Sequence, residues 1–303
     1  MLATRLVSGS VLIAVVLVVL LVDERFAPWF PLWFCLSFTA LLAAALELVD
    51  LLGHAGVRPS TNSVVGGVAA LVVANWMPHL PPHLEWGSEA WSLLEEPLQP
   101  ISVLSWPLLA FTGVLMVSFV VQSVQFCKPG RTMMTIAATI LVDAYVGLLG
   151  TFIIQMRWLE GSLHGVVPIL LLIATAKGAD TGAFIFGKLA GRRKLWPVLS
   201  PNKTIEGAAG GLLVAILGAI LVTTGAERLL DIPSLNWTQT IAFGLIVGLV
   251  AQLGDLMESM IKRDCEQKDA SSAIPGFGGV LDVLDSLLFS APVAFVLWLG
   301  FSP

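Results

Sequence analysis

Two pairs of acidic residues interrupt the last apolar stretches of this chain. Asp255 and Glu258 lie three positions apart in one run, Asp282 and Asp285 three apart in the next, and Lys262, Arg263 and Lys268 stand between them. On a helix, a spacing of three puts both members of a pair on one face. Carboxylates that meet in a partly dehydrated place repel one another unless they are protonated or hold a cation, and hard oxygen donors suit Mg²⁺. The connecting segment, IKRDCEQKDASSAIPGFGG, passes from basic residues through Ser271 and Ser272 to a turn with Pro275, Gly276, Gly278 and Gly279. A glycine-rich turn that opens a helix can aim N–H groups at an anion. Acidic groups for a cation beside loops for an anion are the parts needed for phosphoryl-type transfer, which asks a protein for positioning and charge neutralisation more than for covalent chemistry.

A second basic segment, FGKLAGRRKLWPVLSPNKTIEGAAGG, repeats the pattern. Arg192, Arg193 and Lys194 read as an ordinary basic loop. Lys203 differs, because it stands against a Ser200, Thr204, Glu206 helix start where dipole and side chains both favour phosphate. Further charges, Asp143, Lys177 and Asp180, lie within or at the edge of apolar sequence. A carboxylate near the middle of a bilayer costs at least about 2.5 kcal/mol, so each needs a partner or a function. Lys177 can neutralise Asp180 at i+3, and Lys262 can neutralise Glu258 at i+4.

The elements that must position these groups are membrane helices. Hydrophobic residues make up 56% of the 303 positions and charged residues 12%, with a mean hydropathy of +0.88. Such values exclude an ordinary soluble domain and indicate an all-α polytopic integral membrane protein. About nine apolar runs approach the roughly 20 residues that cross a bilayer: 6–22, 29–52, 64–80, 101–125, 132–155, 165–187, 205–224, 239–260 and 280–301. The first is kept as a span and not as a signal peptide, since no small-residue cleavage site follows it. With the amino terminus inside, the loops around 53–63, 126–131, 188–204 and 261–279 carry most of the 16 basic residues, and only Arg25, Arg157 and Arg228 fall outside. That asymmetry predicts an N-in, C-out chain. The outer segment 80–100, with its glutamates, tryptophans and leucines, reads as interfacial and amphipathic. Cys35, Cys127 and Cys265 have no spacing that suggests a zinc site or a disulfide. One integral domain, 1–303, is expected, with helices over 1–160 preceding catalytic helices and loops over 165–303.

From Ser259 to Ser286, SMIKRDCEQKDASSAIPGFGGVLDVLDS resembles the signature of the phosphatidate cytidylyltransferases, or CDP-diacylglycerol synthases. Ser259, Lys262, Arg263, Lys268, Asp269, Pro275, Gly276, Gly278, Gly279, Asp282 and Asp285 fall in register with it. Upstream, Asp180, Thr181, Gly182, Ser200, Pro201, Lys203, Thr204, Glu206 and Gly207 match a second stretch of that family. Phe277 and Val283 depart from its usual His and Arg, which removes two hydrogen-bonding side chains, and Phe184 replaces a Tyr.

The resemblance implies transfer of CMP from CTP to phosphatidate, giving CDP-diacylglycerol and pyrophosphate, with Asp255, Asp282, Asp285 and Lys262 as the catalytic set. Asp255 and Asp282 would hold Mg²⁺, with a second cation left open, while Asp285 and Glu258 orient ligands or hold Lys262. Lys203, Lys262 and Arg263 would grip phosphates, and Ser200 and Thr204 would donate hydroxyls. Asp180, Glu206, Lys268, Gly278 and Gly279 complete the substrate-binding set. The expected setting is a bacterial-type inner membrane with the site facing the cytosol. CTP and the lipid are the partners, no nucleic acid is involved, and small-residue helix faces permit a homodimer without requiring one. Two alternatives stay open: a divergent or silent homologue with another lipid acceptor, and an ion-coupled carrier using Asp143, Lys177, Asp180 and Asp255.

Overall fold

A computed structural model of the chain describes residues 2–79, 103–127, 129–159, 165–232 and 234–301. The amphipathic segment expected at 80–100 lies outside these residues. The helices are α1 (Leu2–Asp23), α2 (Pro31–His54), α3 (Thr61–Ala74), α4 (Ser105–Val124), α5 (Thr132–Val142), α6 (Leu149–Gln155), α7 (Val166–Ala190), α8 (Ile205–Leu230), α9 (Trp237–Asp264) and α10 (Val280–Phe301). A π-helical turn, Asp143–Leu148, joins α5 to α6. Between α7 and α8 lies an antiparallel hairpin of β1 (Lys194–Trp196) and β2 (Ser200–Thr204), a small exception to the all-helical expectation.

Seven helical segments of the described residues are long and apolar enough to cross a membrane: α2, α4, the composite Thr132–Trp158, α7, α8, α9 and α10. The nine spans suggested by hydropathy include two more, α1 and α3. At 14 residues, α3 rises about 21 Å, short of a hydrocarbon core of about 30 Å. It ends where Asn75 turns its amide back to the Leu71 carbonyl at 2.7 Å.

The chain forms two compact units, one over 9–155 and the other over 156–303 together with 1–8. In the 9–155 unit, Asp23 is fully buried and caps α2, its two oxygens accepting the N–H groups of Leu32 and Trp33 at 3.0 and 2.8 Å. These are orphan donors of a helix start, so this buried carboxylate has a structural role. Gln155 donates to both the carbonyl and side-chain oxygens of Asn75 at 3.0 Å, which ties the end of α6 to the turn after α3. Asp143 opens the π turn, fully buried, and neither of its oxygens has a hydrogen-bond partner among the described residues. It faces Gly67, where a Cβ would lie 2.6 Å from its Oδ1.

In the second unit, α7, α8, α9 and α10 pack on one another. Strong local signals start two of them. Thr204 Oγ1 accepts from Gly207 N at 3.1 Å at the head of α8. A full capping box between Asn236 and Gln239 opens α9, with both bonds at 3.0 Å.

Candidate active site

The acidic pairs are positioned by a close crossing of α9 and α10. At Gly254 a Cβ would lie 2.6 Å from Phe289 Cβ and 3.0 Å from the Asp285 carbonyl oxygen, so only glycine lets the two helices approach this far. One turn onward, Glu258 on α9 comes beside Asp285 on α10. Ligand oxygens of Asp255, Glu258 and Asp285 all lie within 4.8 Å of one another. Glu258 is fully buried and Asp285 nearly so.

Each of these three carboxylates meets a lysine from a different element. Lys203, on β2, reaches Asp255 Oδ2 at 2.7 Å. Lys262, one turn along α9, sits 2.6 Å from Glu258 Oε2. Lys177, on α7, lies 3.5 Å from Asp285 Oδ1 and 3.2 Å from Asp180 Oδ2. Lys177 also donates to Ser286 Oγ at 2.7 Å, and that hydroxyl donates onward to Asp180 Oδ2 at 3.0 Å. Glu258 Oε1 and Asp180 Oδ1 remain buried without a hydrogen-bond donor among the described residues.

Asp282, expected to share a cation with Asp255, is engaged differently. Its Oδ1 takes Lys262 Nζ at 2.6 Å, and its Oδ2 accepts from Gly279 N at 2.7 Å and Ala270 N at 3.0 Å. Gly279 precedes the first residue of α10 and Asp282 is its third, so this is the acidic half of a capping box. The expected anion cradle of Gly278 and Gly279 is thus filled by the chain's own carboxylate. Gly278 N donates instead to the Ile274 carbonyl at 3.0 Å. Gly278 has φ +107°, and a Cβ there would meet Asp282 Oδ2 at 2.6 Å, so both backbone and space demand glycine.

The remaining expected residues surround this centre. Ser200 pairs with Trp196 in the hairpin register, and Thr204 uses its hydroxyl as the α8 cap. Glu206 closes the base of the hairpin, accepting from Arg192 N at 3.0 Å and from Arg193 N at 3.1 Å. Arg263 donates to the carbonyls of Leu199 at 3.4 Å and Gln267 at 3.1 Å, linking the end of α9 to the hairpin turn. Lys268 is exposed in the loop before the glycine turn. The Ser8 hydroxyl donates to the Pro275 carbonyl at 2.9 Å, so the start of α1 touches that same turn.

A family model described as the cytidylyltransferase family matches residues 3–301. The chain belongs to this family. Among curated relatives, a phosphatidate cytidylyltransferase of Staphylococcus epidermidis is 37% identical over 186 residues, which is 61% of this chain and 68% of that protein. One of Bacillus subtilis is 38% identical over 162 residues, covering 54% and 58% of the two chains, and one of Staphylococcus aureus is 37% identical over 188 residues, covering 61% and 68%. Lys177 and Ser286 were missed as site residues by sequence reasoning. The sequence offers Lys177 as a countercharge for Asp180 or as part of an ion pathway, because its other partners in this centre lie more than a hundred positions away. The one available signal was a serine directly after the last aspartate of the signature.

Proposed function

We infer that the protein is a membrane-embedded CTP:phosphatidate cytidylyltransferase. It transfers CMP from CTP to phosphatidate, giving CDP-diacylglycerol and pyrophosphate. An oxygen of the lipid phosphate attacks the α-phosphorus of CTP, the new P–O bond forms, and the bond to the β-phosphate oxygen breaks as pyrophosphate leaves. A phosphate monoester is already a competent nucleophile, so the site has no need of a strong general base.

The assignment of the centre rests on one observation, the convergence of Asp255, Glu258 and Asp285, each met by its own lysine. Among the described residues, Asp180, Asp255, Glu258, Asp282 and Asp285 form ion pairs with Lys177, Lys203 and Lys262 alone. With all of these groups ionised, an excess of two negative charges remains. An all-oxygen donor set, the donorless Glu258 Oε1 and that charge excess fit Mg²⁺ held by Asp255 and Asp285 with Glu258 beside them. When bound, the ion supplies positive charge to the phosphates. Lys203, whose side chain is 23% exposed, is placed to exchange Asp255 for a phosphate oxygen of the nucleotide. Lys262 stays within, holding Glu258 and Asp282 in register. Lys177 and Ser286 orient Asp285 and Asp180, while Arg263 at the end of α9 and Lys268 in the loop after it present charge to the phosphates. Asp282 keeps the glycine turn closed over the helix start. The proposal includes nine crossings, with α3 and the turn to His79 completing the third. It also includes an N-in, C-out arrangement in an inner membrane with the site facing the cytosol.

The test is Mg²⁺ titration and turnover of labelled CTP in liposomes for Asp285→Asn, Asp255→Asn and Asp282→Asn. The first two lose CDP-lipid formation by about 100-fold or more, the scale for removing one electrostatic element of a catalytic site, and bind Mg²⁺ weakly. Asp282→Asn melts at lower temperature but keeps its Mg²⁺ affinity. Near wild-type, Mg²⁺-dependent turnover in both Asp255→Asn and Asp285→Asn would overturn the assignment.

A further inference from the structure

The outer part of the hairpin has no role in the chemistry above, yet its composition is unusual. Only residues 191–204 separate α7 from α8, and both helices are long and apolar enough to span. The hairpin is therefore confined to the edge of the bilayer. The strands and base of its backbone are paired within the protein: Lys194 pairs with Thr204 and Trp196 with Ser200, Ile205 N donates to the Arg193 carbonyl at 2.9 Å, and Glu206 takes the N–H groups of Arg192 and Arg193. A segment with its polar backbone already paired can enter an interface at little cost.

The side chains point the same way. Val198 is 82% exposed and Trp196 48%, which is a large apolar display for a turn in water, and Leu189 at the adjoining end of α7 is 79% exposed. Lys188, Arg192, Arg193 and Lys194 are exposed around them. Lys177, Lys203 and Lys262 all have carboxylate partners. Lys188, Arg192 and Lys194 have no ion pair among the described residues. Uncompensated cations interleaved with an exposed tryptophan match the chemistry of an acidic headgroup layer over acyl chains, where Trp sits at headgroup level and Lys and Arg meet lipid phosphates.

We propose that this hairpin is an interfacial anchor for acidic phospholipids, with Trp196 and Val198 in the headgroup boundary and Lys188, Arg192 and Lys194 on the lipid phosphates. Docking steadies β2, the strand that carries Lys203 to Asp255. Bilayer charge is thereby coupled to the position of a phosphate-binding lysine.

The experiment uses the full chain with Val198→Cys in a Cys35→Ala, Cys127→Ala background. Cys265 is retained: it is 2% exposed and burial pushes its thiol up, with Asp264 adding to the effect, so it labels slowly. An environment-sensitive fluorophore at 198 is read in nanodiscs of phosphatidylcholine with and without phosphatidylglycerol. Emission shifts to the blue and quenching by brominated acyl chains rises when phosphatidylglycerol is present, and both return to the phosphatidylcholine level in Arg192→Gln, Lys194→Gln protein. That double variant keeps the Mg²⁺-dependent thermal shift of the parent, which shows that the fold is intact. A probe reached by aqueous iodide equally in both lipids overturns the proposal. So does shielding that follows protein concentration in detergent, which would assign the surface to a second copy of the chain.

Discussion

At the scale of single residues, Lys262 carries more than its place in a basic loop suggests. It bridges Glu258 and Asp282, both at 2.6 Å, with its own side chain 11% exposed. Removing one partner of a buried charge pair leaves the other uncompensated, which costs about 3–5 kcal/mol. Lys262→Met is therefore expected to lower the melting temperature sharply and abolish turnover, whereas Lys262→Arg restores part of both; differential scanning fluorimetry alongside the CTP assay reads the two effects. Asp143 is a contrasting case. It is as buried as Glu258, but its carboxylate has no ion pair or hydrogen-bond donor among the described residues.

At the scale of elements, the distance between α9 and α10 sets the site. Gly254→Val would push a branched side chain into Phe289 and the Asp285 carbonyl. Overpacking of this kind costs about 1–3 kcal/mol, and here it also parts Glu258 from Asp285. The expected outcome is a larger loss of Mg²⁺ affinity than of thermal stability, measured by titration and melting on the same sample. The i, i+3 spacing of the acids made their shared faces legible in the sequence, and the apolar runs made the helices legible. The hairpin was not legible, because strands of three and five residues containing a proline show no alternating pattern. The engagement of Asp282 was not legible either. Its position as third residue of α10 is a capping signal, but an acid at that place in the signature reads equally well as a cation ligand.

At the scale of the whole molecule, the apolar composition fixes a membrane protein, and the placement of basic residues supports an orientation. In a Cys35→Ala, Cys127→Ala background, an impermeant maleimide added to inverted vesicles should label Arg58→Cys and spare Arg228→Cys, with the opposite result in spheroplasts; the reversed pattern would refute the N-in arrangement. The pairing of charges also bears on how the chain enters a bilayer during synthesis. Lys177 with Asp180 and Glu258 with Lys262 are neutral couples inside single helices, so α7 and α9 bring their own counterions to the insertion machinery. The final helix has two aspartates and no cation of its own. Its acids take their lysine partners from other helices, Lys177 on α7 and Lys262 on α9, so the net charge of α10 is met only by packing against those neighbours.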